Sequence, residues 1–414
     1  MMKILKAFKW LYPGMRVKRW TLLVVFGVIM VSMGFVMVIS EQAPKNKTFA
    51  ATIIIIGMLA IVTGIKRIIK SFVTILLPQG QDELVDKVYN KLILEKGPKV
   101  VVIGGGTGLS MLLHGLKEYT SNITAIVTVA DDGGSSGRLR QDFDVLPPGD
   151  IRNCLVALAD AEPLMGKLFQ FRFDEGTAFG GHSFGNLFIT AMSKVTGDFD
   201  AAIKESSKVL AIRGSVVPST LNKVTLIAEH IDGTESIGES QIPKALKTIK
   251  KIYLKPAGSK PTHEAVEALR RADAIVLGPG SLYTSIMPNL LVDTIYKEII
   301  SSKAVKAYVC NVMTQKGETD GYKASDHLRA IVEHTAPGIV DYCIINTAKI
   351  PDSMIKRYKE EGASPVIPDS ENLKKMKCKV VEAHILTIQD FVRHDSEKLT
   401  KIIIDLVNSL KRAR

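Results

Sequence analysis

Val100-Val101-Val102-Ile103-Gly104-Gly105-Gly106-Thr107-Gly108-Leu109-Ser110 sets four β-branched residues directly against a glycine run. Such an uninterrupted apolar stretch is the pattern of a strand buried on both faces, and the residues after Gly108 have helical spacing. A strand that turns into a helix through glycines gathers free backbone N–H groups and the positive helix end at one point. A phosphate can approach there because glycine has no Cβ. The stretch therefore predicts an α/β fold with an anion-binding turn at Gly104, Gly105, Gly106, Thr107 and Gly108; a tight turn without a ligand is the plainer alternative. The Gly-Lys-Ser/Thr ending of a P-loop is missing, and in a G-x-G-x-x-G frame begun at Gly104, Leu109 takes the place of the last small residue.

Outward from this strand, Ile123–Ala130, Ala274–Leu277, Val305–Val312, Tyr342–Ile345 and Val380–Ile385 read as strands. Gly108–Tyr119, Gly185–Thr196, Thr262–Arg271, Leu328–Glu333 and Glu397–Leu410 read as helices. Their alternation predicts a doubly wound, mostly parallel, Rossmann-like sheet over residues 98–414. Val224–His230, the Asp232-Gly233 turn, Thr234–Gly238 and Ile252–Leu254 break the rhythm and predict a small β-hairpin insertion.

Upstream the chain changes character. Trp20–Ser40 and Phe49–Ile65 are uncharged runs of 21 and 17 residues, near the length that crosses about 30 Å of hydrocarbon. Lys3, Lys6, Lys9, Arg16, Lys18 and Arg19 precede the first run, and Lys66, Arg67 and Lys70 follow the second. The positive-inside rule then predicts a multi-pass cell-membrane protein with a basic cytoplasmic segment 1–19, a transmembrane hairpin 20–65 and the main domain in the cytoplasm. The first run is longer than a signal-peptide core and lacks small cleavage residues. Residues 66–97, with Leu84, Val85, Val88, Tyr89 and Leu92 at helical spacing, read as an amphipathic juxtamembrane linker. Of the net charge of +12, residues 1–97 hold 14 basic against 5 acidic groups, or +9, which leaves +3 for the rest. A nucleic-acid partner for the main domain is therefore not expected. Cys154, Cys310, Cys343 and Cys378 are widely spaced and read as reduced thiols; neither they nor the eight histidines form a zinc pattern.

Four further constellations carry polar chemistry. Asp131, Asp132, Gly133, Ser135 and Arg138 follow the second strand, where a dinucleotide fold places its ribose-binding acid. They read as a flexible loop that binds sugar hydroxyls or, through Asp131 and Asp132, a Mg²⁺ ion shared with nucleotide phosphates. In Pro147–Asn153, Asp150 reads as an N-cap, with Arg152 and Asn153 in the first turn. In Gly180–Asn186, the polar His182, Ser183 and Asn186 sit among three glycines at a helix entrance, where burial without partners is costly. Gly278, Gly280 and Ser281 repeat the strand-to-glycine-loop arrangement, and Asn311, Thr314 and Gln315 after the next strand stand where a carboxyl-edge site would have its other wall. No G-x-S-x-G elbow is present, which argues against a serine hydrolase.

In these motifs, Gly104–Gly108, Asp131–Arg138, Pro147–Asn153, Gly180–Asn186 and Leu277–Tyr283, the chain from Lys99 to Leu410 resembles the CofD-like superfamily. Within it the chain is similar to the gluconeogenesis factor (YvcK-like) family. That resemblance implies a regulator that binds nucleotide-sugars such as UDP-N-acetylglucosamine and bears on cell shape and wall-precursor supply. It implies no tightly bound organic cofactor, a homo-oligomer and a metabolic enzyme as partner. The typical family member is cytoplasmic, so the two apolar runs depart from it. The superfamily also implies an alternative, a 2-phospho-L-lactate transferase-like transfer from a nucleotide-activated donor. The glycine run and Asp131 alone would also suit an NAD(P)-dependent oxidoreductase.

Overall fold

The structure is a computed structural model that describes residues 18–39, 47–76, 92–160, 163–388 and 391–413. The chain divides into two compact units between Lys91 and Leu92.

The first unit is a pair of antiparallel helices, α1 (Lys18–Ile39) and α2 (Lys47–Leu76). Within them Lys18–Ile39 and Lys47–Ser71 are long and apolar enough to cross a membrane. Their large apolar side chains point outward, with Phe26 57% and Ile55 59% exposed, so nothing in the pair itself covers them. Glycines make the seam. A Cβ on Gly27 would lie 2.7 Å from the Gly57 carbonyl oxygen, and one on Gly57 would lie 2.8 Å from that of Gly27. Small residues of this kind let helix backbones approach where lipid offers no hydrophobic drive for association. The second helix does not stop at Ile65 but continues to Leu76. Leu84, Val85, Val88 and Tyr89 of the expected linker helix lie outside the described residues.

The second unit is built on seven parallel strands: β1 (Val100–Gly104), β2 (Ile123–Val127), β3 (Ser215–Pro218), β7 (Ala274–Leu277), β8 (Val305–Val309), β9 (Tyr342–Asn346) and β10 (Lys379–Ala383). Their order is β10-β9-β8-β7-β1-β2-β3. β1 pairs on one side with β2 and on the other with β7, so the chain's direction of travel across the sheet reverses at the β1/β7 boundary. Val100 to Gly104 are all buried, as an uninterrupted apolar strand requires.

The expected insertion is a three-stranded antiparallel sheet in the order β5-β4-β6, made of β4 (Thr225–His230), β5 (Glu235–Ile237) and β6 (Ile249–Lys255). β11 (Leu386–Ile388) and β12 (Val392–His394) form a separate antiparallel pair. The helices that frame the carboxyl edge are α3 (Gly106–Leu116), α4 (Gly134–Phe143), α5 (Gly149–Leu158), α6 (Phe184–Thr196) and the final α7 (Ser396–Ala413). α7 lies on α3, where Ser396 Oγ donates to the Met111 carbonyl at 2.5 Å. All four cysteines are free and buried.

Two of the polar constellations differ from the sequence reading. Asp131–Arg138 is not a loop throughout, since α4 starts at Gly134 with Gly133 as its N-cap. A Cβ at Gly137 would collide with the Asp132 carbonyl, so only glycine lets the chain fold back there. Asp150 is not a cap either, because Pro148 holds that place and Asp150 belongs to the first turn of α5.

Candidate functional site

Open α/β sheets bind ligands beyond the carboxyl ends of their strands, where the winding direction reverses. In this sheet that point lies between β1 and β7, and both strands end in glycine turns. The turns touch: a Cβ on Gly108 would lie 2.8 Å from the Pro279 carbonyl, and one on Gly280 would lie 3.3 Å from the Gly105 carbonyl. Gly106 has φ +67 and Gly278 φ +80, left-handed values that side chains disfavour. Asn289 ties the floor together by donating to the Gly104 carbonyl at 3.1 Å and the Ser285 carbonyl at 2.8 Å.

Above this floor is a cleft of about 330 Å³. The sequence-predicted Gly105, Gly106, Thr107, Gly108, Gly280, Ser281 and Asn311 all line it, while Gly104 and Gly278 are not among the lining residues. Ser285 and Gln315, close in sequence to Ser281 and Asn311, and the distant Tyr358, Arg393 and His394 complete the walls. Gln315 Nε2 donates to Ser281 Oγ at 2.6 Å, and its Oε1 is buried with no partner. An orphaned carbonyl oxygen here suits a donor group on a ligand. Arg393 is exposed on β12, with its guanidinium 5.4 Å from the Phe391 ring centre. His394 Nε2 lies 3.1 Å from the Cys310 carbonyl, and burial pushes its pKa down to about 4, so the ring is neutral.

A second group stands beyond β2, and Asp150 links it to the first. The Asp150 carboxylate accepts from the Gly106 N–H and fills the space a Gly105 side chain would need. Burial, reinforced by Asp131, raises Asp150 to about 7. Burial also raises Asp131, against hydrogen bonds from Gly133 and Ser136. Glu239 and Glu318 join this acidic field. Burial raises Glu318 to about 7 and Glu239 well above the usual carboxylate range, and Glu239 Oε2 is buried with no hydrogen-bond partner. Asp132, predicted beside Asp131 as an ion ligand, turns instead to the insertion sheet and accepts from the Ser240 N–H at 2.8 Å. Among the described residues no group of three or more His, Cys, Asp or Glu side chains is arranged to hold a metal alone.

Next to the acids, Ser135 Oγ stands 2.9 Å from His182 Nδ1 and accepts from Asn186 Nδ2 at 3.0 Å. Burial, with Arg138 nearby, lowers the His182 pKa, which fits a neutral ring whose Nδ1 accepts the serine proton. Ser183 caps α6 by accepting from the Asn186 N–H. Arg138 is used structurally, donating to the Gly180 carbonyl at 2.8 Å. Arg152 donates to Asn153 Oδ1 at 2.6 Å, and its Nε is buried without a partner.

Gln315, expected on the other wall, lines the cleft. Sequence reasoning missed Tyr358, Arg393 and His394 as parts of the site, and it misassigned Asp150. The polar run Arg393-His394-Asp395 after Phe391-Val392 was the one signal for the former. The position of Asp150 at the end of a glycine-bearing turn was the signal for the latter.

Known proteins share this arrangement. The family model for 2-phospho-L-lactate transferase CofD matches residues 100–386. The gluconeogenesis factor of Bacillus subtilis is 50% identical over 311 residues, which cover 75% of this chain and 98% of that protein. A putative gluconeogenesis factor from Nostoc sp. is 47% identical over 419 residues, which cover 96% of this chain and 92% of that protein. At most 4% of this chain lies outside that alignment, so it reaches into the N-terminal helices, whereas the Bacillus subtilis alignment leaves a quarter of the chain outside. A crystal structure of a Bacillus halodurans protein superimposes with TM-score 0.73 at 52% identity, covering 74% of this chain and 99% of that one. With these matches over the sheet and its glycine turns, the chain belongs to the CofD family, on the branch whose members are named gluconeogenesis factors.

Proposed function

We propose that the protein is a membrane-tethered regulator of gluconeogenesis factor type that binds a nucleotide-sugar, of the UDP-N-acetylglucosamine kind, in the β1/β7 cleft. The observation that carries this reading is the floor of two touching glycine turns at the sheet's reversal point. Backbone N–H groups and the start of α3 would receive the diphosphate, with Arg393 supplying a cation from the rim. The unpartnered Gln315 Oε1 would take a donor from the base or sugar. Asp131 and Asp150 suit a Mg²⁺ ion that the phosphates also bind, since Mg²⁺ commonly uses one or two carboxylates together with substrate phosphates. The ion would supply charge neutralisation. The neutral Ser135–His182–Asn186 group fits sugar hydroxyls at the far end. The apolar helices α1 and α2 would hold this domain at a cytoplasmic membrane face and so bring the regulator close to wall-precursor synthesis.

Calorimetry on the full chain in detergent tests the reading. UDP-N-acetylglucosamine should bind with Mg²⁺ present, and absence of heat with every nucleotide-sugar tried would end it. One observation favours a second reading: the matched family is described by a transferase. In that case the carboxylate-held ion and the glycine turns stabilise charge on a transferring phosphoryl group. Conversion of nucleotide-activated phospholactate with a deazaflavin acceptor would support it, and unchanged reactants would remove it.

A further inference from the structure

We propose that the basic end of the helical hairpin is a binding site for the phosphate headgroup of an acidic phospholipid, formed by Arg19 and Arg67 around Trp20. The inference rests on the reading that α1 and α2 lie in a bilayer.

The seam glycines set the geometry. A Cβ on Gly64 would lie 3.0 Å from the Trp20 carbonyl, so the close approach of the helices extends to the point where the uncharged run of α1 begins. This approach brings Arg67 of α2 onto a ring of α1. Its guanidinium is 5.2 Å from the Trp20 ring centre, and that of Arg19 is 5.3 Å from the same ring. Two cations thus share one aromatic ring, and both side chains are exposed. Lys18 and Lys66 stand exposed beside them.

No Asp or Glu occurs among the described residues of the hairpin to balance this charge. The ring can attract each guanidinium, but it cannot offset their mutual repulsion. An anion placed between them does. A guanidinium also offers a planar fork of N–H donors that matches phosphate oxygens, and a tryptophan at the end of a membrane helix sits at headgroup depth. A membrane supplies lipid phosphate at that depth, and only an acidic lipid brings it with a net negative charge that its own headgroup does not balance. Each basic residue near an anionic leaflet contributes about a fivefold enrichment by general attraction. The shared ring singles out Arg19 and Arg67 from the other cations.

Trp10 and Trp20 are the two tryptophans of the chain, so Trp10→Phe leaves Trp20 as the sole reporter. The full-length variant is reconstituted in phosphatidylcholine nanodiscs containing a small fraction of lipid with brominated acyl chains. Brominated phosphatidylglycerol should quench Trp20 several-fold more than the same fraction of brominated phosphatidylcholine. Arg19→Gln together with Arg67→Gln should remove the difference, although Lys18, Lys66 and Lys70 are kept. Excess inorganic phosphate should not compete, because free phosphate is not held at membrane depth. Equal quenching by the two lipids overturns the proposal, as does a preference that survives in the double variant or is displaced by inorganic phosphate. Absence of quenching by either lipid would sink the membrane reading itself, and with it this inference.

Discussion

The two halves of the carboxyl edge are made in opposite ways. Around β1 and β7 the site is made by leaving atoms out: glycines, bare backbone and two turns in contact. Around β2 it is made by putting groups in: Asp131, Asp150, Ser135, His182 and Asn186, each with specific partners. The first half should therefore fail when atoms are added, and the second when a functional group is exchanged. On the proposed reading, bare backbone would supply most of the phosphate contact on the first side, with Arg393 and Gln315 at its walls, and the second side would add contacts to sugar or ion.

The harshest test adds atoms to the bare half. Gly108→Val drives a side chain into the Pro279 carbonyl, and overpacking of this kind costs about 1–3 kcal/mol. Nucleotide-sugar binding should disappear in calorimetry and the melting temperature should fall; near-normal affinity would break the comparison. A smaller loss is expected at the rim. Arg393→Gln removes an exposed cation, and affinity should drop about tenfold, roughly the worth of one charge-assisted contact. Its thermal stability should match that of the wild type, and a lower melting point would show that Arg393 is structural.

On the furnished half, Ser135→Ala leaves His182 Nδ1 and Asn186 Nδ2 without their shared partner, at a cost of about 1 kcal/mol. It should weaken binding of the sugar nucleotide while sparing UDP, and equal losses for both would sharpen the boundary by moving Ser135 out of the sugar end. The gentlest probe is pH. Asp150 is raised to about 7 in the folded chain from an ordinary value of 3.8. Between those values the folded form binds more protons than the unfolded one. Stability should therefore rise as the pH falls from about 8 towards 5. Asp150→Asn should flatten part of that slope, and Mg²⁺ should stabilise the wild type only on its alkaline side. A slope unchanged in the variant would assign it to Glu239 and Glu318 instead.

Much of the frame was legible because buried parallel strands announce themselves: Val100–Ile103 and Ala274–Leu277 have no competing pattern. β3 was not, since Ser215–Pro218 is four residues long and ends in a proline that argues against a strand. α4 was hidden by Gly134, Ser135, Ser136 and Gly137, poor helix formers held by the packing of a turn against Asp132. In the site, the glycine half could be read locally, because each of its turns is made of consecutive residues. Gln315 follows Asn311 closely enough to be read with it, but Tyr358, Arg393 and His394 reach the same cleft from far along the chain, and nothing local in the sequence records that meeting. Asp150 was misread because a carboxylate near a helix start suits a cap on local grounds, and only the fold brings Gly106 to it.

The placement of β1 between β2 and β7 also sets an order of events during synthesis. Val100 pairs with Ile123, 23 residues later, but also with Ala274, 174 residues later. At about 5–20 residues per second, the second partner emerges roughly ten to thirty seconds after the first strand. Throughout that interval β1 has one open edge, and the glycine turn after it has no opposite wall. The cleft is thus among the last features a nascent chain can complete, and any molecule that binds there recognises only chains that have finished folding.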